Sequence, residues 1–208
     1  ESYFEYDEYG NETSSYDTVE DIIVLSGYCE EDIATGLNGA LAWEKEYLGP
    51  EKEQQLVRTT TYSYTYDREG NKIETVTEVS GNNKTETITT YDTMGQETSV
   101  VSRSGAASKT LDTADIDSSV TMEYDSFGRM IKETSTEGTI VTVTENSYND
   151  NGTLLSEMIT TSEGTQSSTV VTSYTYDSLE RETGRTVNNN GEIQSFFTEY
   201  KYENVRSE

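Results

Sequence analysis

A six-residue phrase returns along the chain and constrains its fold more than any other feature. It reads aromatic residue, Asp, two variable residues, Gly and a polar residue, and residues 66–71 are a clear copy. The repeat positions, including a tyrosine two places before one copy, are Tyr66, Asp67, Gly70, Tyr91, Asp92, Gly95, Tyr124, Asp125, Gly128, Arg129, Tyr148, Gly152, Tyr174, Tyr176 and Asp177. A phrase that recurs every 24 to 33 residues predicts a repeat architecture in which each copy is one supersecondary unit.

The glycine of the phrase sets the register of the repeats. It falls at positions 10, 39, 70, 95, 128 and 152, and Glu180 takes its place in a seventh copy. Gly39 belongs to this series because residues 38–41 match residues 151–154, although the Tyr-Asp pair is lost there. We therefore predict one domain over 1–208 with about seven hairpin repeats. Residues 19–56 are degenerate, 103–119 are an insertion, and an eighth copy begins at Tyr202.

Residues 152–177 show what a single repeat predicts. Leu154 to Thr160 indicates a strand, Gly164 indicates a tight turn, and Ser168 to Tyr176 indicates the return strand. One repeat is thus one β-hairpin, and a lone hairpin is not stable without neighbours. The predicted fold is all-β, with repeated antiparallel hairpins forming a long curved sheet or a partial β-shell. Almost no helix is expected outside 28–56, where we predict a turn or short helix near 29–34 and a helical turn after Pro50.

The Tyr-Asp pair has a mechanical role in this prediction. Residues two apart on a strand share a face, so the alternating tyrosines project together. We expect four of them to be mostly buried, with threonines on the opposite and wetter face; they are Tyr64, Tyr124, Tyr174 and Tyr200. The Asp that follows can accept a hydrogen bond from a backbone N–H two or three residues on. The glycine then adopts a positive φ or a position where a side chain would clash.

The charge of the chain restricts its partners. Forty acidic residues stand against 14 basic ones, and the net charge is -26. This excludes a nucleic-acid binder, since neutralising phosphates requires clustered Lys and Arg. It also disfavours anionic membrane surfaces, and the absence of any apolar run of 18 residues predicts no membrane insertion. The partners that remain are an unknown protein or glycan, together with other domains of a longer chain.

The residue inventory argues against catalysis. With no His and one cysteine, Cys29, neither a Ser–His–Asp nor a Cys–His arrangement can be built. We expect no enzyme activity, no catalytic residues and no cofactor, and we expect Cys29 to be a buried apolar residue. A weak calcium candidate is the acidic cluster of Asp112, Asp115 and Asp117, for which a solvated loop is the alternative.

The phrases resemble the YD repeats of the RHS family, whose consensus is Tyr-Asp-x-x-Gly-Arg with a Thr-x-Tyr-x-Tyr-Asp return strand. Gly128-Arg129 and residues 174–177 match this consensus best, and the resemblance covers most of 60–208. It implies a β-shell built from hairpins and a bacterial protein that is exported or displayed at the cell surface. The family's aspartyl self-cleavage is not implied, because its proline-rich core is missing and Pro50 is the only proline.

Three functions follow from these features as expectations. The first is a non-enzymatic exported scaffold, structural or interacting, of a bacterial surface or secreted protein. The second is a glycan-binding module in which tyrosines and Trp43 stack on sugars, for which the alternative is that these rings form the core. The third is a fragment of a toxin-encapsulating β-shell.

Overall fold

The computed structural model of the protein describes residues 1–29, 39–49 and 55–200, and β-strands make up almost all of the regular secondary structure of these residues. The strands are β1 (Ser2–Tyr6), β2 (Glu12–Asp17), β3 (Ile22–Tyr28), β4 (Leu41–Leu48), β5 (Gln55–Tyr66), β6 (Lys72–Ser80), β7 (Asn83–Tyr91), β8 (Glu97–Ala106), β9 (Ile116–Tyr124), β10 (Met130–Glu137), β11 (Ile140–Tyr148), β12 (Leu154–Glu163), β13 (Gln166–Tyr176), β14 (Glu182–Asn189) and β15 (Glu192–Phe197). Three predicted features lie outside the described residues: the helical turn after Pro50, the eighth copy at Tyr202, and the turn or short helix near 29–34, of which only Cys29 is described.

The order of the strands in the sheet is the order of the strands in the chain. Neighbouring strands pair antiparallel, as β5 and β6 do without interruption from Arg58 opposite Ser80 to Tyr66 opposite Lys72. The predicted fold class, an all-β protein made of successive antiparallel hairpins, is therefore confirmed. This topology follows from the short connections, because a tight turn can only return a strand antiparallel to the one before it.

Contacts between residues divide the chain into two compact units. The first is Glu1–Ser119, which contains β1 to β8, and the second is Val120–Glu208, which contains β10 to β15. Within each unit, every strand contacts the strands that precede and follow it in the chain. The extent of the repeat array over 1–208 stays a prediction.

The two ends of the hairpins carry different turns. One end carries the Tyr-Asp phrase, and the other carries tight two-residue turns such as the one between β12 and β13. Gly164 lies there at a φ of 57°, in the first central position, which suits a type II′ turn. The Asn190-Gly191 turn has a positive φ at both central residues, as a type I′ turn requires. Both types match the right-handed twist of the strands they join.

The tyrosines are less buried than expected. Tyr64, Tyr124 and Tyr174 are half-buried, and Tyr200 is 42% exposed. The reason is that a side chain on a sheet is flanked by its cross-strand neighbours and is covered fully only when a further layer lies over it. The expected difference between faces is confirmed on β5, where Tyr64 is half-buried while Ser63 and Thr65 are exposed.

The insertion at 103–119 contributes one of the few buried apolar side chains. β8 runs on to Ala106, and a short 3₁₀ helix (Thr113–Asp115) precedes β9. The connection folds back so that Leu111, which is 7% exposed, lies on the backbone of Gly105. A Cβ at Gly105 would come within 2.8 Å of Leu111 Cδ2. Glycine is therefore required at position 105 because the Leu111 side chain lies too close for a Cβ, and not because of a positive φ.

Candidate functional site

The repeated Asp turn is the structural unit in which most of the predicted residues meet, and the turn at Asp67 shows its geometry. The backbone N–H of Gly70 donates to the Asp67 carbonyl at 3.2 Å, and the Asp67 N–H donates to the Asn71 carbonyl at 3.1 Å. The Asp67 carboxylate accepts on Oδ1 from the backbone N–H groups of Glu69 (3.0 Å) and Asn71 (2.9 Å). Its Oδ2 accepts from Asn71 Nδ2 at 2.9 Å. The Asp67 side chain thus accepts from three donors of the turn, and main-chain carbonyls accept from the other two named here.

The same turn forms at the other copies of the phrase. The carboxylates of Asp7, Asp92, Asp125 and Asp177 each accept from the backbone N–H groups two and four residues on. Asn149 keeps the main-chain bonds, but its side chain donates to Thr153 Oγ1 instead. The glycine lies in each case at positive φ, between 75° and 93°, which confirms the expectation; these residues are Gly10, Gly39, Gly70, Gly95, Gly128 and Gly152. Glu180 adopts the same conformation at 62°, without the freedom of glycine.

The turn hydrogen bonds lower the pKa of several of these carboxyls. The Asn71 side chain, followed by its backbone N–H, holds the pKa of Asp67 below its ordinary value. At Asp177 the lowering of the pKa comes first from the Arg181 side chain. Desolvation raises the pKa of Asp125, but hydrogen bonds from Arg129 and Phe127 outweigh it, and the net direction is down. These carboxylates are hydrogen-bonded in the charged form, the opposite of what a general acid needs.

The residue after the glycine completes the turn, and the sequence alone did not reveal this role. Arg129 donates from Nε to Asp125 Oδ2 at 2.7 Å, and Nη2 lies 2.6 Å from the same oxygen. Its guanidinium also stacks on Tyr148, with its carbon 4.6 Å from the ring centroid. Arg181 repeats both contacts. Its Nε donates to Asp177 Oδ2 at 2.7 Å, and its guanidinium carbon lies 4.3 Å from the centroid of the Tyr200 ring. The available signal was the polarity of this position in the copies that keep an Asp or Asn, where Asn, Gln, Arg and Thr occur.

A tyrosine hydroxyl links a repeat to the residues that follow the turn of the preceding repeat, which is the second feature that the sequence did not reveal. Tyr176 donates to the carbonyl of Leu154, and Tyr148 donates to the carbonyl of Met130, both at 2.8 Å. The acceptor is always the second residue after the glycine position of the preceding turn. The same bond forms at Tyr28 with Glu12, at Tyr64 with Leu41 and at Tyr200 with Glu182. The other predicted repeat tyrosines are half-buried, except Tyr66, which is 47% exposed.

The acidic cluster proposed for calcium is engaged in the 3₁₀ helix. Asp112 caps the helix by accepting from the Ala114 N–H at 2.8 Å. The Asp115 carboxylate accepts from the Asp112 N–H at 3.0 Å and forms an ion pair with Lys109. Asp117 is exposed on β9. Among the residues that the structure describes, no group of three or more acidic or thiol side chains is placed to hold a metal ion.

Trp43 forms the most pronounced aromatic surface on β4. It faces Gly27 of β3, and its ring lies so close that a Cβ at Gly27 would come within 2.3 Å of Trp43 Cε2. The ring is 36% exposed, and the Lys45 ammonium lies 5.3 Å from its centroid. The ring therefore packs on Gly27 and leaves part of its surface open to solvent. Cys29, predicted to be buried, is half-buried instead.

Comparison of the chain with protein-family models and with curated proteins found no match in either set. Within the described segments, no helix has the length and apolarity needed to cross a membrane.

Proposed function

We propose that this chain is a non-enzymatic exported scaffold, made of YD repeats of the RHS type, in a bacterial surface or secreted protein. The observation that supports this proposal is the recurrence of one turn at five copies of the phrase, in which the backbone N–H of the residue after the glycine position donates to the Asp carboxylate. The repeated geometry serves the fold, because the polar groups of each turn bond to one another and to the backbone. A chain in which each hairpin is hydrogen-bonded to its neighbours is suited to presenting an extended surface.

Antibody labelling of cells tests the location of the scaffold. An antibody raised against the whole chain is applied to intact and to permeabilised cells of the producing bacterium, with an antibody against a cytoplasmic protein as the control. We expect the chain to be detected on intact cells or in the culture medium, while the control antigen is detected only after permeabilisation. Detection of the chain only in permeabilised cells, together with the control, would refute export.

A second candidate, a glycan-binding module, is favoured by the exposed Trp43 ring. An aromatic ring held flat can stack on the apolar face of a sugar. The test is a glycan array probed with the native chain, with Trp43→Phe, which keeps a ring over Gly27, and with Trp43→Ala. The glycan function predicts binding by the native chain that Trp43→Phe retains and Trp43→Ala loses. No binding by the native chain, or equal binding by all three proteins, would contradict it.

A further inference from the structure

An arginine of one turn covers the tyrosine ring that precedes the next turn at two places in the second unit. The guanidinium carbon of Arg129 lies 4.6 Å from the centroid of the Tyr148 ring, and that of Arg181 lies 4.3 Å from the centroid of the Tyr200 ring. Each arginine also forms an ion pair with the Asp that opens its own turn. A guanidinium between a carboxylate and an aromatic face is thus a feature of these repeats.

The turn between these two has no arginine. Thr153 stands at the same position, and its hydroxyl accepts from Asn149 Nδ2 at 2.8 Å. The equivalent ring is that of Tyr176, whose hydroxyl donates to the carbonyl of the residue after Thr153. The hydroxyls of Tyr148 and Tyr200 donate in the same way to the residues after the two arginines. No basic side chain among the described residues covers the Tyr176 ring.

A cavity of about 600 Å³ lies beside this ring, between two successive turns. We call it the Tyr176 cavity, and its lining includes Asp150, Thr153, Leu155, Tyr174 and Tyr176. Leu155 is 44% exposed, so it offers an apolar surface to the methylene stem of a long side chain. A pocket of this volume has room for an arginine together with the backbone on either side of it.

The charged residues in the lining of the Tyr176 cavity are two aspartates, and they differ in their partners. Asp177 is paired with Arg181 in its own turn. Asp150 is exposed, and its carboxylate forms no hydrogen bond or ion pair with any described residue. The charge that is not neutralised within the cavity is therefore negative, in a chain whose net charge is -26. Such a site attracts a cation.

We propose that the Tyr176 cavity binds an arginine side chain that projects from a partner protein. The guanidinium lies on the Tyr176 ring, as the arginines of the two neighbouring turns lie on theirs, and its charge is met by the Asp150 carboxylate. The methylene stem of the arginine packs on Leu155. The inference rests on the proposed scaffold function, since it names the chemistry by which the scaffold holds a partner.

Charge decides between a partner protein and a second copy of the chain. A second copy carries the same net charge of -26, so its approach to the cavity is opposed by repulsion, whereas a basic partner is attracted. Arginine suits the cavity better than lysine does. A planar guanidinium stacks on a ring while its N–H groups reach a carboxylate beside the ring, and an ammonium group cannot do this.

The probe is the peptide Gly-Gly-Arg-Gly-Gly with both ends blocked, titrated into the isotope-labelled full chain and followed by the chemical shifts of the backbone amides. The control peptide carries citrulline in place of arginine, which keeps the length and the planar end group and removes the charge. We expect the citrulline peptide to bind at least about tenfold more weakly. The shifts should be largest around Thr153 and Tyr176. No binding of the arginine peptide, or equal binding of the two peptides, would refute the proposal.

A double variant that fills the cavity from within localises the binding. Asn149→Asp combined with Thr153→Arg rebuilds the turn of residues 125–129, and it leaves the net charge at -26 because it adds one negative and one positive charge. The introduced guanidinium should cover the Tyr176 ring, so the affinity for the arginine peptide should fall at least about tenfold. Asn149→Asp alone leaves the cavity open and should bind at least as tightly as the native chain. Equal affinities of the double variant and the native chain would overturn the cavity as the site.

The carboxylate at position 150 is tested by Asp150→Asn, which changes an exposed side chain and keeps its shape. We expect the affinity for the arginine peptide to fall about fivefold, since the guanidinium loses its charged acceptor. Asp117→Asn makes the same charge change at an exposed aspartate of the first unit and should leave the affinity unchanged. An equal loss in the two variants would mean a general attraction to an acidic protein and would contradict the proposal. Circular dichroism confirms that each variant keeps its sheet.

Further measurements identify other occupants. Free L-arginine that binds at least about tenfold more tightly than the blocked peptide would make the ligand a small molecule and refute the partner protein. Sedimentation that shows a dimer of the chain, dissociated by the arginine peptide, would make a second copy the occupant. If the peptide fails to bind while the chain is found outside the cell, the Tyr176 cavity is refuted and the scaffold proposal stands. If the chain is intracellular, the scaffold proposal fails whatever the peptide does.

Discussion

The hydroxyl of Tyr176 donates a 2.8 Å hydrogen bond to the backbone carbonyl of Leu154, 22 residues earlier in the chain. Tyr176 immediately precedes the turn at Asp177, and Leu154 follows the turn that contains Gly152. The bond therefore joins the Asp177 turn to the preceding turn, in which Asn149 takes the place of Asp, on the same edge of the hairpins. Because the same bond recurs at four other tyrosines, successive repeats are tied together by side chains as well as by the strand ladder.

Removing this hydroxyl should destabilise the second unit. Tyr176→Phe keeps the ring and leaves the Leu154 carbonyl without its donor, so we expect a loss of about 1 kcal/mol in the free energy of unfolding. Tyr174→Phe is the matched control, since Tyr174 lies two residues earlier on the same face and its hydroxyl has no hydrogen-bond partner among the described residues. Urea denaturation measures the free energy of unfolding of both variants. Equal effects of the two substitutions would show that the bond to Leu154 contributes nothing.

The turn glycine at position 128 should not tolerate a β-branched residue. Its φ is 79°, a conformation in which the Cβ of valine crowds the following carbonyl. Gly128→Val should lower the free energy of unfolding by about 1 kcal/mol or more. Ser126→Val is the control, because Ser126 is exposed in the same turn and does not have a positive φ. Its effect should stay within about 0.5 kcal/mol. A neutral Gly128→Val would show that the register of the repeat is wrong.

Glu180 offers the converse experiment. It stands at the glycine position with a φ of 62°, and its side chain makes one exposed contact, with Asn151 at 3.3 Å. Glu180→Gly relieves the left-handed conformation, which costs about 1–2 kcal/mol for a residue with a Cβ. Glycine also loses more conformational entropy on folding, so we expect a net increase of about 1 kcal/mol in the free energy of unfolding. Leu179→Gly, one residue earlier and mostly exposed, has no such strain to relieve and should not stabilise. A rise in melting temperature for Glu180→Gly alone confirms the prediction.

The backbone of the repeat could be predicted from sequence because it depends on local rules. The spacing of Asp67 and Gly70 specifies a turn whatever surrounds it, and the alternation before each turn specifies a strand. The register at the degenerate Gly39 and at Glu180 also followed from the period, and both residues lie at positive φ.

The side-chain links between repeats could not be predicted in the same way. The acceptor of the Tyr176 hydroxyl is a backbone carbonyl, and every residue has one, so no residue type marks it. The burial of Tyr174 was overestimated because alternation shows that two side chains share a face, not that another layer covers the face. Arg129 was visible as a consensus residue, but its contact with Tyr148 depends on how the next strand is placed.

Acid should weaken the Asp turns. The pKa of Asp177 is lowered in the folded chain, first by the Arg181 side chain. A lowered folded pKa means that the stabilisation is present above the unfolded value, about 3.9 for Asp, and is lost as the pH falls through the folded value. Asp177→Asn, which copies the residue type at Asn149, removes this dependence. The difference in melting temperature between native chain and variant should be largest above pH 4 and should shrink towards pH 2. A difference that does not change with pH would contradict the charged turn.

The response to salt and to calcium tests how the net charge of -26 acts. With few bases available, the carboxylates repel one another and oppose the compact state. Sodium chloride should therefore raise the melting temperature, since the Debye length falls from about 10 Å at 0.1 M to about 3 Å at 1 M.

A cation site would behave differently, because millimolar Ca²⁺ would stabilise the folded state beyond an equal ionic strength of sodium chloride. Asp115 already holds the Asp112 N–H and the Lys109 ammonium, so we expect the general effect of salt and no selective effect of calcium. Asp115→Asn should lower the melting temperature equally in both salts. A calcium-specific rise of several degrees that disappears in Asp115→Asn would instead make this loop a binding site.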